Sequence, residues 1–212
     1  MQDYLTDLGI TSALGAVPGV AAHLYARTPL VQSSIFNSAD TAARDKLLKV
    51  IRRMGIDKVE SPIGPAMAPA IDGGKQKLLL PKGSKPSAGV LSHELGHALN
   101  MRTAKKLAGK KGAIAHMLGV GPLFMAAGAP ASIAHLFGAD TDTLGALGAG
   151  GVALSMPRLA EETLASVRGA RLMKRLKLKG RWKAFVGLPT YAMHSVLPAI
   201  PWLSRKLQEK FN

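Results

Sequence analysis

The chain contains no cysteine. This absence excludes disulfide bonds and every metal site built from thiolates, so a bound metal would need histidine or carboxylate ligands. Aromatic residues make up only 5% of the 212 residues, and no run of them alternates with lysine and arginine. Proteins that bind single-stranded nucleic acid use such aromatics as stacking platforms, so their scarcity argues against nucleic acid as a partner.

Acidic residues are also scarce, with 13 Asp and Glu against 28 Lys and Arg, which leaves a formal net charge of +15. This charge balance favours an anionic membrane surface or an acidic partner. Hydrophobic residues nevertheless make up 47% of the chain, and they are concentrated in uncharged stretches apart from the cations. One such stretch, residues 9–26, is interrupted by Pro18 and is short for a membrane span. We interpret residues 1–37 as an apolar N-terminal segment with an interfacial or buried helix, and a true membrane crossing is the alternative.

The longest uncharged stretch covers residues 112–137, and a second one, residues 144–156, follows an acidic turn. A stretch of this length can cross a bilayer, and Gly and Pro are common in membrane helices. Cations flank the pair on both sides, whereas the turn has Asp140 and Asp142 and no cation. This asymmetry predicts a transmembrane helical hairpin at about 112–158 with both flanks on the cytoplasmic side. The alternative is a soluble helical protein whose core is the apolar hairpin.

Local patterns predict the elements that lead to this hairpin. Residues 38–54 have the apolar stripe and the terminal residues of an amphipathic helix. Residues 67–71 and 76–80 are short apolar runs separated by Asp-Gly-Gly, which is typical of a β-hairpin. A further helix begins near Ser87 and continues through the next two dozen residues.

Residues 93–97 read HELGH and lie on this predicted helix. Two histidines four residues apart project from one face of a helix, so His93 and His97 can bind one cation. Glu94 lies beside the first histidine, where it can accept a proton from water without binding the metal. Zinc is the metal expected here, because it polarises a carbonyl group and lowers the pKa of water toward neutrality. Gly96 lowers the helix propensity of the motif, which predicts that another part of the chain packs closely there.

A catalytic zinc usually has three protein ligands and one open position, so a third ligand is needed. Asn100 and Thr103 stand where an extended form of the motif has glycine and a third histidine, so this ligand must come from elsewhere. Among the downstream acids, Glu161 and Glu162 lie where the predicted hairpin returns to the side that it left. The alternative for this pair is an exposed helix N-terminus, where the helix dipole favours acidic residues.

The two motifs together resemble a known family. HELGH, an apolar hairpin and then EETLAS resemble the membrane-integrated zinc metallopeptidases (gluzincins) of the prenyl-protease and heat-shock-protease type, and are similar to the related bacterial membrane-bound neutral zinc peptidases. The resemblance implies that Glu162, and not Glu161, is the third zinc ligand, and Glu161 remains a residue near the site or an alternative ligand. It also implies that Ser166 stands where many relatives have an aspartate that orients a ligand histidine. It further implies that an extended substrate lies along an edge strand formed by Gln76, Lys77, Leu78, Leu79 and Leu80.

The predicted fold class is therefore mainly α with a small β-hairpin, in which a minimal gluzincin-like core (strand, HExxH helix, Glu helix) carries an apolar, transmembrane-type helical hairpin. The predicted metallopeptidase domain covers 38–183, and 184–212 form a C-terminal apolar segment and basic tail. The predicted function is a zinc-dependent, membrane-associated endopeptidase that cleaves polypeptides on the cytoplasmic side, as an integral or a peripheral protein. The alternative is a non-enzymatic membrane-penetrating or structural component, for example of a virion or secretion assembly, with a vestigial or structural metal site.

Two features of the sequence leave choices open. The donor that would stabilise an oxyanion is not identified among Arg168, Arg171, His116, Tyr191 and His194. The cation-rich residues 168–183 could contact the anionic lipid of a membrane leaflet. No pattern indicates an oligomeric state.

Overall fold

In the computed structural model, residues 21, 24–36, 38–61, 70–72, 77–120 and 127–211 are described. The protein is mainly α-helical. In chain order, the elements formed by these described residues are α1 (Pro29–Ile35), α2 (Thr41–Arg53), β1 (Asp57–Ser61), β2 (Ala70–Asp72), β3 (Lys77–Pro81), α3 (Ala88–Val120), α4 (Ala129–Leu136), α5 (Thr141–Arg175), a 3-10 turn (Arg181–Phe185), α6 (Leu188–Val196), a second 3-10 turn (Leu197–Ala199) and α7 (Ile200–Phe211).

Helix α2 forms where the amphipathic pattern predicts a helix. Asp40 caps it, because its carboxylate accepts a hydrogen bond from the backbone N–H of Ala43 at 3.2 Å. The apolar stripe is buried, with Leu47 and Ile51 inside the core. Gly55 follows with a φ of 70°, a left-handed conformation that suits glycine at the end of a helix.

The three strands form one mixed sheet in the order β1-β3-β2. β2 pairs antiparallel with β3, over residues where the sequence predicts a hairpin, and β1 pairs parallel with β3. The sequence did not predict β1, because DKVES contains a single apolar residue and has no alternating pattern. The prediction that residues 76–80 form an edge strand is wrong, since β3 has a hydrogen-bonded neighbour on both sides. Gln76 itself lies outside the described residues.

The chain divides into two compact units, each assembled from separate parts of the sequence. The first, called here the motif unit, consists of Ala26–His116 and Glu161–Pro189. Its core lies where α2, β3, α3 and α5 meet, and the buried side chains include Leu47, Leu78, Leu91, Leu95 and Met173. Burying aliphatic side chains of this size is the main favourable contribution to folding.

The second unit, called here the glycine-rich unit, includes Met117–Ala160 and Thr190–Asn212. Glycines on one face of α5 allow close packing within it. A methyl group at Gly151 would overlap the backbone of Ala127 and the ring of Pro198, and one at Gly145 would crowd the Trp202 ring at 3.1 Å. The apolar, glycine-rich arm of the predicted hairpin is therefore used for packing against other helices of this unit.

No helix in the described part of the chain has a segment long and apolar enough to cross a bilayer. The predicted transmembrane hairpin at about 112–158 is therefore wrong for these residues, and its residues 121–126 lie outside them. One physical reason is that the first apolar stretch is divided. Helix α4 has only 8 residues, a length of about 12 Å. The predicted fold class, which joined a gluzincin-like core to such a hairpin, is contradicted. Most of the predicted interfacial segment, residues 1–20 and 22–23, also lies outside the described residues.

Candidate metal centre

The HELGH motif lies in the first turns of α3, and a serine at the start of this helix sets its position. The Ser87 hydroxyl accepts a hydrogen bond from the backbone N–H of Val90 at 3.2 Å, as an N-cap residue does. Leu91 and Leu95 then point into the core of the motif unit. With these two leucines buried, the spacing of the helix directs His93 and His97 toward α5.

Glycines let α3 and α5 approach closely at the motif. A methyl group at Gly96 would overlap the carbonyl oxygen of Ala165, and one at Gly169 would lie 2.5 Å from the carbonyl oxygen of Ser92. The prediction that another part of the chain packs closely at Gly96 is thus confirmed. Because the two backbones are in contact, even a side chain as short as that of Ser166 on α5 can reach a histidine of α3.

Three ligand atoms converge in the contact between these helices. The Nε2 atoms of His93 and His97 are 3.0 Å apart. The Oε2 atom of Glu162 is 3.2 Å from Nε2 of His93 and 3.5 Å from Nε2 of His97. Glu162 has 0% of its surface exposed, so its carboxylate is held by the protein away from solvent.

These separations fit a zinc ion. Ligand atoms about 2.0–2.1 Å from a tetrahedral zinc lie roughly 3.3–3.4 Å from one another. The three observed distances, 3.0, 3.2 and 3.5 Å, lie on both sides of this value. The donor set of two imidazoles and one carboxylate is also one that catalytic zinc uses, with a fourth position left for water or substrate.

The other ring nitrogen of each histidine is held by α5. Nδ1 of His93 lies 3.0 Å from the hydroxyl of Ser166, and Nδ1 of His97 lies 2.7 Å from Oε1 of Glu161. A carboxylate can only accept a hydrogen bond, so His97 donates from Nδ1 and has a lone pair on Nε2 when it is neutral. Glu161 therefore lies on the opposite side of the His97 ring from the position that Glu162 shares with both histidines.

Asn100 completes this arrangement, and the sequence predicted no role for it. Its side-chain amide donates hydrogen bonds to Oε1 of Glu161 at 2.9 Å and to the backbone carbonyl of Glu161 at 3.2 Å. Both residues are buried, Asn100 with 7% and Glu161 with 5% of its surface exposed. A signal was available, since Asn100 follows His97 by three residues and so lies on the same helix face.

The electrostatics favour a positive charge at the centre of the cluster. Burial lowers the pKa of His97, but the hydrogen bonds with Glu161 and Glu162 and the charge of Glu94 outweigh it, and the pKa is raised to about 10. Burial raises the pKa of Glu161, but the hydrogen bond and charge of His97 and the hydrogen bond from Asn100 keep it below its usual range. In the absence of a metal, His97 therefore carries a proton at neutral pH, and a metal ion that binds Nε2 must displace it.

Glu94 directly follows His93 in α3 and lies near both histidines. It is buried, with 7% of its surface exposed, and it offers a carboxylate oxygen within 4.8 Å of ligand atoms on His93 and His97. This distance is compatible with a proton acceptor that touches a water molecule near the metal position. A buried carboxylate in such a place also adds negative charge, which favours a bound cation.

Five residues are candidates for oxyanion stabilisation, and they come from different parts of the sequence. Arg168 donates a hydrogen bond to the Thr103 hydroxyl at 2.9 Å, and Arg171 is exposed. Tyr191 belongs to the glycine-rich unit, where it accepts a hydrogen bond from Arg158 at 3.2 Å. His194 belongs to the same unit, and its Nδ1 donates to the carbonyl of Thr190 at 2.7 Å. The side chain of His116 lies outside the described residues. Within the described residues of the motif unit, Arg168 is hydrogen-bonded to Thr103 and not to a residue of the cluster.

Seven side chains thus meet at one contact between α3 and α5. The hydrogen bonds between the two helices join residues that are 61 to 73 positions apart in the sequence. Four of them were predicted as metal ligands or general base: His93, Glu94, His97 and Glu162. Ser166 and Glu161 were predicted near the site and contact the two histidine rings, and Asn100 is the addition. No protein-family model, curated protein or solved structure matches the chain.

Proposed function

We propose that this protein is a zinc-dependent peptidase whose ion is held by His93, His97 and Glu162. The observation that carries the proposal is the convergence of Nε2, Nε2 and Oε2 within 3.5 Å of one another at a buried helix contact. Zinc bound there would polarise a substrate carbonyl and lower the pKa of water toward neutrality. The resemblance of HELGH and EETLAS to zinc metallopeptidase motifs supports the same reaction class.

The chain's own residues supply the rest of the chemistry. Glu94 accepts the proton of the attacking water and later transfers it to the amine that leaves. Glu161 and Ser166 keep the two histidine rings oriented, so that each presents Nε2 to the same position. Burial of the carboxylates strengthens their electrostatic effect on the reacting groups, because few water molecules screen them. The substrate class is polypeptide, and extended, unfolded segments can reach a site at a helix contact most easily.

A Glu94→Gln variant tests the proposal. It should retain one zinc ion per chain, because Glu94 is not a ligand, but hydrolyse casein about 10²- to 10⁴-fold more slowly because the proton acceptor is lost. Zinc content would be measured by elemental analysis, and hydrolysis by release of fluorescent casein fragments. Glu209→Gln is the control, because this exposed carboxylate near the C-terminus should change neither quantity. If the zinc-loaded wild-type protein hydrolyses no unfolded protein or peptide, the peptidase proposal is wrong and a structural role for the metal is favoured.

A further inference from the structure

A cationic surface lies at the end of α5, on residues that follow those of the metal centre in the sequence. Between Glu162 and Glu209 the sequence has no acidic residue, and residues 171–183 contain seven cations. These cations are Arg171, Lys174, Arg175, Lys177, Lys179, Arg181 and Lys183. All are exposed except the half-buried Lys183. We call residues 171–183 the cationic platform.

The platform has a defined backbone conformation. Leu178 donates a backbone hydrogen bond to Met173 at 2.9 Å and Lys177 donates one to Lys174 at 3.1 Å, which is the pattern of a helix C-terminal motif. Lys177 adopts the left-handed conformation, with a φ of 56°. From the neighbouring helix α2, the ammonium group of Lys46 donates a hydrogen bond to the carbonyl of Leu176 at 2.9 Å.

Apolar residues fix the platform to the core, and the charges therefore face outward. Leu176 and Leu178 pack against the core of the motif unit, and Ala184 is buried just after the platform. A methyl group at Gly89 would overlap the side chain of Lys183, so the platform also packs against the start of α3. The apolar residues of the platform lie between its cations in the sequence. When the apolar residues pack against the core, the cations are left on the solvent side of a structured segment.

An exposed tryptophan lies within this cluster of cations. Trp182 has 51% of its surface exposed, and the ammonium group of Lys183 is 5.8 Å from the centre of its ring. Tryptophan partitions to the headgroup region of a bilayer, because its ring is largely apolar and its indole N–H can remain hydrated. Lysine and arginine beside it interact favourably with the negative surface potential of an anionic leaflet.

From these observations, we infer that the cationic platform docks the protein on the surface of an anionic lipid bilayer. Charge complementarity supplies the attraction, and Trp182 inserts among the headgroups. Asp40, which shares a cavity of about 160 Å³ with Lys179 and Lys183, carries one negative charge and leaves the platform strongly cationic. A single exposed tryptophan does not provide the succession of stacking sites that single-stranded nucleic acid uses. This docking does not depend on the proposed peptidase activity.

The test is sedimentation of the full chain with phosphatidylcholine vesicles that contain or lack phosphatidylserine. The wild-type protein should bind only the anionic vesicles, and added salt should weaken the binding. Lys179→Glu/Arg181→Glu should lower the partition coefficient about 25-fold or more, because each cation near an anionic surface contributes about fivefold. The matched control is Lys105→Glu/Lys106→Glu, two exposed lysines on α3, which gives the same change in net charge and should retain binding.

A second measurement keeps the inference testable if the charge-reversed variant does not fold. In a Trp202→Phe protein, the remaining Trp182 emission should shift to shorter wavelength with phosphatidylserine vesicles and not with phosphatidylcholine alone. Three results would overturn the inference. They are equal loss of binding in both charge-reversed pairs, equal binding to neutral and anionic vesicles, and binding to a DNA oligonucleotide without binding to anionic vesicles.

Discussion

At the scale of single residues, the orientation of two imidazole rings determines what the centre can bind. Nδ1 of His97 faces the carboxylate of Glu161, and Nδ1 of His93 faces the hydroxyl of Ser166. Their Nε2 atoms face each other and Glu162. Three lone pairs directed at one point are unfavourable without a positive charge between them, so the arrangement favours either a proton or a metal ion.

Asn100→Ala should weaken zinc binding, because it removes two hydrogen bonds that hold Glu161 beside His97. Loss of a group that orients a metal ligand typically lowers affinity about 10- to 100-fold. A competition titration against a chelator of known affinity measures the change. Thr103→Val is the matched control. Thr103 lies further along α3, and its hydroxyl accepts a hydrogen bond from Arg168 of α5, so its removal should leave zinc affinity unchanged. An unaltered affinity in Asn100→Ala would contradict the role given to this residue.

Most of the residues that α3 contributes to the centre could be predicted from the sequence. The residues that α5 contributes could be predicted only in part. His93, Glu94 and His97 are neighbours on one helix turn, so their spacing alone predicts that they act together. Local pattern does not distinguish Glu161 from Glu162, because the two are adjacent in the sequence. Only the family resemblance favours Glu162 as the metal ligand. The spacing from His97 places Asn100 on the helix face of the motif, but its role was missed because it depends on Glu161, 61 residues away, and spacing within one helix does not predict that contact.

At the scale of secondary-structure elements, the close contact of α3 and α5 makes the centre possible. Glycines at 96 and 169 bring the two backbones together. A serine hydroxyl and two glutamates on α5 then reach both histidines on α3. The role of the glycine inside the motif could be predicted because a glycine in a helix interior is costly unless it permits packing.

Gly96→Ala should destabilise the protein, because the added methyl group would overlap the carbonyl oxygen of Ala165. Overpacking of this kind costs typically about 1–3 kcal/mol, and separation of the helices should also lower zinc affinity. Gly150→Ala in α5 is the control, because open space surrounds that position, and alanine there should stabilise the helix by about 0.5–1 kcal/mol. Thermal unfolding followed by circular dichroism compares them. Equal effects of the two substitutions would contradict the packing role of Gly96.

The transmembrane hairpin was predicted incorrectly because hydropathy reports apolar content and not the partner of an apolar face. Residues 144–156 are apolar, but Gly145, Gly148 and Gly151 on this stretch lie against Trp202, Pro198 and Ala127 in their own unit. The strand β1 was missed for the converse reason, since its sequence is mostly polar and its pairing with β3 is a long-range contact.

At the scale of the whole molecule, charge links pH to both folding and metal binding. His97 has a pKa of about 10 in the metal-free folded chain, against 6.5 for an ordinary histidine. The folded state therefore holds a proton that the unfolded chain releases above pH 6.5. The resulting stabilisation is complete below that pH and is lost as the pH rises toward 10. A metal ion that binds Nε2 of His97 must displace this proton.

Zinc affinity should accordingly increase with pH, by about tenfold per pH unit while one proton is released on binding. Competition titrations at pH 6, 7 and 8 measure the slope, with the chelator's own pH dependence subtracted. In a Glu161→Gln variant the pKa of His97 should fall toward its usual value, so the slope should flatten at the upper end of this range. A zinc affinity that does not change with pH in the wild-type protein would contradict the protonation state assigned to His97.

The claim on which the rest depends is that two histidines of α3 and one glutamate of α5 hold a single zinc ion. Zinc content after dialysis against a zinc buffer, compared between the wild-type chain and Glu162→Ala, tests it most directly. We expect one ion per wild-type chain and substantially less in Glu162→Ala, with both proteins folded by circular dichroism. A wild-type chain without zinc, or a Glu162→Ala chain that keeps a full equivalent with undiminished affinity, would contradict the claim.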